Sequence, residues 1–299
     1  MAGTKAKEPT LSAYILTTDN EDTIKACLDS LKDVDEVLVI DGGSKDRTLD
    51  IARKYRNVNI YTNPWPGYPK QRNFALSKIR TDWVLYVDSD MEATPELIRE
   101  IKQTIKNPKY KGYMVSYYNI FLDGYALEGG DWFPCYNDML VSMEAKPHYD
   151  ERRGVHEGDS FEGPFGRLQN FIIHHNYPKV EDWIAKMNQY TTLEVGRMEK
   201  LGVIFGRFKI RVNPRSFWST MWFLLWYPKL FFMWAFFWRR GYRSGIPGLV
   251  YAMFGAIYIF LAHVKYWNHL CEKQGLKKPL KELVTYGHKI KSRYLKPEK

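Results

Sequence analysis

A chain of 299 residues with 45% hydrophobic and 26% charged residues has ample core for one large or two small domains, which excludes wholesale disorder. The net charge of +10 is unevenly placed: residues 200–271 hold ten Lys/Arg and no acid, residues 272–299 nine basic and three acidic residues, and residues 1–199 the balance of −6. An acidic body joined to a basic, aromatic C-terminal third excludes a nucleic-acid reader, which carries its positive charge on its folded surface, and points to an anionic membrane surface.

Residues 1–10 are polar and lack an apolar h-region, so no secretory signal is expected. Residues 11–17 form an apolar run rich in β-formers. Ile24, Cys27, Leu28 and Leu31 follow at helical spacing. Cys27, Cys135 and Cys271 are far apart and make neither a CxxC pair nor a disulfide framework, which points to a reducing compartment. Residues 36–40 (EVLVI) predict a buried strand, ended by Asp41-Gly42-Gly43-Ser44. Ser44 is expected to cap a helix carrying Leu49, Ala52 and Tyr55 on one face. Residues 58–61 predict another strand, residues 71–79 a helix, and residues 83–87 (WVLYV) a continuous apolar strand ending at Asp88-Ser89-Asp90. Thr94-Pro95-Glu96 starts a helix that runs to about Ile105, and residues 113–118 predict the next strand. Alternation of apolar strands with helices predicts an α/β fold with a mostly parallel sheet covered on both faces.

In such sheets ligands sit beyond the carboxyl ends of the strands, and three polar clusters fall there: residues 17–21, 41–44 and 88–90. Two carboxylates two residues apart at a strand end can hold a hard divalent ion against a diphosphate; a helix-capping loop with surface acids is the plainer alternative. Asp33-Val34-Asp35 has the same spacing but precedes a strand, and is expected to be a solvated turn. Asp41-Gly42-Gly43-Ser44 lets backbone approach a ligand closely, but it is not GxGxxG, and no GxxxxGK[ST] occurs. Dinucleotide binding and P-loop chemistry are therefore disfavoured.

The order of Thr17-Thr18-Asp19-Asn20-Glu21, Asp41-Gly42-Gly43-Ser44, Gln71-Arg72-Asn73 and Asp88-Ser89-Asp90 resembles family 2 inverting glycosyltransferases of the GT-A fold. The likeness continues through Pro64-Trp65-Pro66-Gly67, residues 129–134 (GGDWFP), Val155-His156-Glu157, His174, Tyr190-Thr191-Thr192-Leu193 and the aromatic stretch to Trp267. This combination is similar to the lipopolysaccharide-core glucosyltransferase subgroup and covers about residues 11–268. The resemblance implies a GT-A fold and transfer from a UDP-sugar to a saccharide or lipid-linked acceptor. It implies that Thr17 and Glu21 contact the nucleoside, Asp41 accepts from the base edge, Arg72 lies near the ribose or diphosphate, and Asp88 faces the ribose. It implies that Asp90, with His174 completing the site, ligates Mn²⁺ or Mg²⁺. Two stretches depart from the family pattern: Thr18-Asp19-Asn20-Glu21 stands where Lys-Asn-Glu-Glu is usual, and Cys135 and Asp138 stand where an acid and an arginine are usual.

A nucleotide-sugar already has a good leaving group, so this chemistry needs charge stabilisation of the departing diphosphate and a carboxylate base for the acceptor hydroxyl. Glu157 is the first candidate for that base and Asp131 the second. Transfer to polyprenyl phosphate is the alternative within this chemistry. A non-catalytic membrane scaffold and a sugar-nucleotidyltransferase are the alternatives outside it, the last disfavoured because residues 11–21 hold neither glycine nor arginine.

The expected organisation is a nucleotide-sugar-binding half (11–110), an acceptor-binding and catalytic half (111–199), membrane-associating helices (200–270) and a basic tail (271–299). Residues 217–238 and 246–264 are apolar runs of 22 and 19 residues, each near the length that spans a bilayer. Pro228-Lys229 would sit mid-span in a transmembrane hairpin, and the recurrent Trp residues favour the headgroup boundary. Monotopic association with the cytoplasmic face of a membrane is the expectation, with the spanning hairpin as the alternative.

Overall fold

All seven residues of strand β1 (Leu11–Thr17) are buried, because helices cover the sheet on both of its faces there. In the computed structural model of the chain, residues 8–122, 124–128, 135–151, 161–177, 179–205, 208–210, 212–278, 282–284 and 286 are described. The chain divides into two compact units, Met1–Lys179 and Val180–Lys299.

In the first unit β1 is followed by α1 (Ile24–Ser30), β2 (Glu36–Asp41), α2 (Thr48–Ala52), β3 (Val58–Thr62), α3 (Tyr68–Lys78), β4 (Trp83–Tyr86), β5 (Met91–Ala93) and α4 (Pro95–Thr104). Then come β6 (Gly112–Phe121), β7 (Tyr125–Ala126), β8 (Cys135–Ser142) and β9 (Phe165–Tyr177). The sheet order is β3-β2-β1-β4-β8-β6-β9-β5, with β7 on β6. β3, β2, β1 and β4 are mutually parallel, as the strand–helix alternation predicts. Beyond β4 the sheet is mixed rather than parallel: β8 runs antiparallel to β4 and β6, β6 pairs parallel with β9, and β9 antiparallel with β5.

The apolar residues of α1 at helical spacing, Ile24, Cys27, Leu28 and the following Leu31, lie in the core with Leu38, Ile40 and Leu85 from the strands. Thr94 caps α4 by accepting from the Leu97 N–H, with Pro95 in the first turn. Ser44 does not cap a helix. Its N–H and hydroxyl both bond back to the Asp41 carboxylate, and α2 begins only at Thr48, whose N–H and hydroxyl donate to Asp46. The carboxylate two residues ahead of Thr48 is the nearer acceptor for the orphan N–H groups of that turn.

The second unit contains α5 (Val180–Leu201), a short hairpin of β10 (Val203–Phe205) and β11 (Phe208–Ile210), α6 (Phe217–Met221), α7 (Tyr227–Met233) and α8 (Gly245–Lys273). π-helical turns at Trp222–Trp226 and Trp234–Trp238 carry α6 and α7 forward as one irregular helix. That helix and α8 form an antiparallel hairpin. Phe223 stacks on His263 at 3.9 Å, and the His263 ring shares a 2.9 Å bond with the Phe223 carbonyl. A Cβ on Gly255 would lie 2.3 Å from the Phe231 ring, so glycine lets the two helices close together.

On α8, α5 packs in parallel. The Trp183 and Phe254 rings stack at 4.0 Å, Lys265 Nζ lies 2.7–2.9 Å from oxygens of Asn188, Thr191 and Thr192, and Glu199 pairs with His269 and Lys273.

Candidate active site

The pairing register sets Thr17 beside Asp41 and Asp41 beside Thr62 at the carboxyl ends of three neighbouring strands. Both Thr17 and Asp41 are buried. The Asp41 carboxylate accepts from the Gly43 and Ser44 N–H groups and the Ser44 hydroxyl, at 2.6–3.1 Å, which folds the loop tightly round its own acid. The first loop is laced to it. Asp19, at φ 53°, accepts from the Lys45 N–H at 2.6 Å, and the Thr17 hydroxyl donates to Asn20 at 2.8 Å. Glu21 accepts from the Arg47 N–H at 2.9 Å, and that bond, reinforced by the Arg47 guanidinium, holds its carboxyl below the usual range. Gly42 sits where the two loops touch: a Cβ there would be 2.3 Å from the Thr18 hydroxyl and 3.3 Å from the Trp65 ring.

Three consecutive residues of α3 reach three different segments. Gln71 exchanges hydrogen bonds with Asn63, at 2.7 and 3.1 Å, and so fixes the loop after β3. Arg72 turns inward: its guanidinium lies 3.7 Å over the Tyr86 ring and 5.3 Å from that of Tyr149, and donates to the Tyr14 hydroxyl at 3.3 Å. Asn73 clasps the backbone of Tyr149, accepting from its N–H at 2.8 Å and donating to its carbonyl at 2.9 Å.

At the end of β4, the Asp88 carboxylate accepts from the Tyr86 hydroxyl. Its packed surroundings push its carboxyl above the usual range, the Arg72 guanidinium opposes that rise, and the charge of Asp90 adds to it. Below it, burial pushes the Cys27 thiol up, so this cysteine is an apolar filler rather than a nucleophile. β9 carries His174 back across the sheet, opposite Asn119 on β6 and Met91 on β5. The Nε2 atom of His174 therefore lies 3.5 Å from Asp90 Oδ1, with both side chains mostly buried. Its Nδ1 meets Asn119 Oδ1 at 2.9 Å; in the tautomer that donates to this oxygen, the Nε2 lone pair faces Asp90. A nitrogen and a carboxylate oxygen at that separation are close enough to share one divalent ion. Among the described residues no group of three or more His, Cys, Asp and Glu could hold a metal by itself.

Of the residues singled out in the sequence, Thr17, Glu21 and Asp41 come together in the laced loops, and Arg72, Asp88, Asp90 and His174 form a second group at the end of β4. Glu157 and Asp131 lie outside the described residues. Sequence reasoning missed Asn119 and the tyrosine cage of Tyr14, Tyr86 and Tyr149. An amide residue directly after the apolar and aromatic residues of the strand expected at 113–118 was the available signal for the first.

The glycosyl transferase family 2 model matches residues 12–177, more than half of the chain, and the chain belongs to that family. It is similar to the lipopolysaccharide core biosynthesis glycosyltransferase LpsC of Rhizobium meliloti, with 28% identity over 265 residues, 86% of this chain and 92% of the relative. It is also similar to an uncharacterized glycosyltransferase of Rickettsia conorii, with 25% identity over 300 residues, 96% and 97% of the two chains. Among solved structures, S. aureus TarS has 18% identity and a TM-score of 0.47, covering 86% of this chain and 55% of that one.

Proposed function

We propose that this glycosyltransferase moves a sugar from a nucleotide-sugar, a UDP-sugar, to a saccharide or lipid-linked acceptor with inversion at the anomeric carbon. Its setting is the synthesis of a cell-surface glycan such as lipopolysaccharide at the cytoplasmic face of a membrane. The observation that carries this reading is the convergence of strand-end acids. Asp88 and Asp90 emerge beside Arg72, and a histidine from a distant strand is aimed at Asp90. The similarity to LpsC supports the glycan setting.

In this reading Thr17, Glu21 and Asp41 hold the nucleoside, Asp88 faces the ribose, and Arg72 supplies a fixed positive charge beneath the donor. Asp90 and His174 would hold Mn²⁺ or Mg²⁺, and the nitrogen ligand favours Mn²⁺, because Mg²⁺ prefers an all-oxygen shell. Among the described residues these two are the His and Asp in reach of such an ion, so oxygens of the donor diphosphate and water would be expected to complete its shell. When bound, such an ion neutralises the charge that develops on the leaving diphosphate. Glu157 takes the proton of the acceptor hydroxyl, with Asp131 as the second candidate, while that oxygen attacks the anomeric carbon in line with the departing diphosphate. One displacement suffices, so no covalent nucleophile is needed.

The test is a screen of nucleotide-sugars with Mn²⁺, reading nucleoside diphosphate release and extracting products into organic solvent. Asp90→Ala should abolish release while thermal unfolding stays unchanged, since a strand-end carboxylate is not a core residue. Turnover near wild type in that variant, still metal-dependent, would reject the assignment. A product carried wholly into the organic phase would shift the acceptor to a polyprenyl phosphate.

A further inference from the structure

The second unit carries a device that limits how it can meet a membrane. The irregular helix through α6 and α7 exposes Trp218, Trp222, Trp226, Met233 and Phe237, spaced by about one turn except for two turns between Trp226 and Met233, where the exposed Lys229 stands. The two π-helical turns keep this stripe in line, since each takes up residues that would otherwise rotate it off the face. Cations sit in the stripe instead of breaking it. The exposed Lys229 lies 4.8 Å over the Trp226 ring, Arg239 lies 5.6 Å from the Trp234 ring, and Arg240 and Arg243 follow in the turn to α8. Aromatic rings flanked by ammonium and guanidinium groups fit the boundary between acyl chains and phosphate headgroups. They do not fit the hydrocarbon centre.

α8 is long and apolar enough to cross a bilayer, yet its partners deny it that path. From Phe254 to Lys273 it is accompanied by α5, which carries Glu181, Asp182, Lys186, Glu194 and Arg197. Only residues 245–253 lie ahead of that contact, about 14 Å of helix, half of a hydrocarbon core of about 30 Å. A spanning α8 would draw these α5 charges and Lys265 into the lipid.

We propose that the hairpin lies in the plane of a single leaflet, on anionic phospholipid, with the 239–243 turn in the headgroup layer. This rests on the membrane reading above and specifies its geometry and lipid. The absence of any acid between residues 200 and 271 is the charge complementarity that selects an anionic surface.

The experiment adds the full-length chain to preformed vesicles, of phosphatidylcholine alone or with 30% phosphatidylglycerol, and floats them. Flotation is expected on the anionic vesicles, weakened on the order of 100-fold when Lys229, Arg239 and Arg240 are all changed to Gln, at roughly 5-fold per cation. A thiol introduced as Tyr242→Cys, in the bound protein, should react with an impermeant maleimide added outside. Equal flotation on neutral vesicles would overturn the anionic selection while leaving membrane association standing. Protection of that thiol would overturn the in-plane geometry in favour of a spanning hairpin. Failure to float on either vesicle would overturn the membrane reading itself, without touching the catalytic assignment.

Discussion

Changing Asn119 to Ala removes the oxygen that faces the His174 ring. The two residues are neighbours across the β6–β9 pairing, 2.9 Å apart at Oδ1 and Nδ1, and Asn119 is 5% exposed. Without that oxygen the Nδ1 proton loses its partner inside a ring whose side chain is 14% exposed. Leaving a buried donor unsatisfied costs about 1–3 kcal/mol. The ring can recover that cost by swinging toward another acceptor or by moving its proton to Nε2, and either change removes the lone pair from Asp90. Loss of such an outer partner lowers metal affinity by about 10–100-fold, which is the same energy seen from the metal's side. The assay is Mn²⁺ titration of donor turnover, with UDP binding measured calorimetrically at each Mn²⁺ concentration. Half-saturation should rise about 10–100-fold, with turnover at saturating Mn²⁺ within a few-fold of wild type. Asn119→Asp keeps an acceptor in place and should restore or tighten binding. An Ala variant with wild-type Mn²⁺ dependence would refute the role of His174 as a ligand.

Glu157→Gln keeps shape and removes basicity, so donor binding should survive while turnover falls by roughly 10²–10⁴-fold; loss of donor binding would assign Glu157 another role, and no change would transfer the base to Asp131. Gly42→Ala must push aside the Thr18 hydroxyl, only 2.3 Å from the new Cβ, and should cost about 1–3 kcal/mol by urea unfolding together with a loss of UDP affinity. Unchanged affinity would mean that the two laced loops do not hold the nucleotide. The Tyr55 phenol is pushed up to about 12 by burial and by its bond to Asp29. A raised folded pKa gives stability that is present below the unfolded value near 10 and lost as pH rises through 12. Tyr55→Phe should flatten the alkaline limb of a stability–pH curve over that window, and an unaltered limb would discount the phenol.

β1, β2 and β4 were legible because each is buried on both faces and so reads as a continuous apolar run, as in residues 83–87 (WVLYV) and 36–40 (EVLVI). The half-exposed edge strand β3 was legible from its β-formers Val58, Ile60 and Tyr61. β8 was not legible: its half-buried residues Cys135, Tyr136, Asn137 and Asp138 precede a buried stretch, so neither a two-residue alternation nor an apolar run stands out. β9 was missed for a related reason, since its polar Gln169, Asn170, His174 and His175 interrupt the pattern. The antiparallel half of the sheet therefore came as a finding. The acids at strand ends were visible as spacing, but what completes them was not. His174 meets Asp90 only through the β5–β9 register, and the tyrosine cage of Arg72 gathers residues 14, 86 and 149. Ser44 shows the opposite error: a good capping residue whose hydroxyl is taken by the acid three residues earlier.

The clasp between Asn73 and Tyr149 spans 76 residues of sequence, and it has a kinetic consequence. Helix α3 contacts β1 and β2, which are near it in sequence, whereas Tyr149 follows β8, which pairs with β4, so the clasp is expected to form after that pairing. Contacts that close so large a loop form late, after the entropy of the intervening chain has already been lost. A bond absent from the transition state slows unfolding without speeding folding. Asn73 therefore acts on the lifetime of the native state: without its amide, the chain should refold at the wild-type rate and come apart sooner.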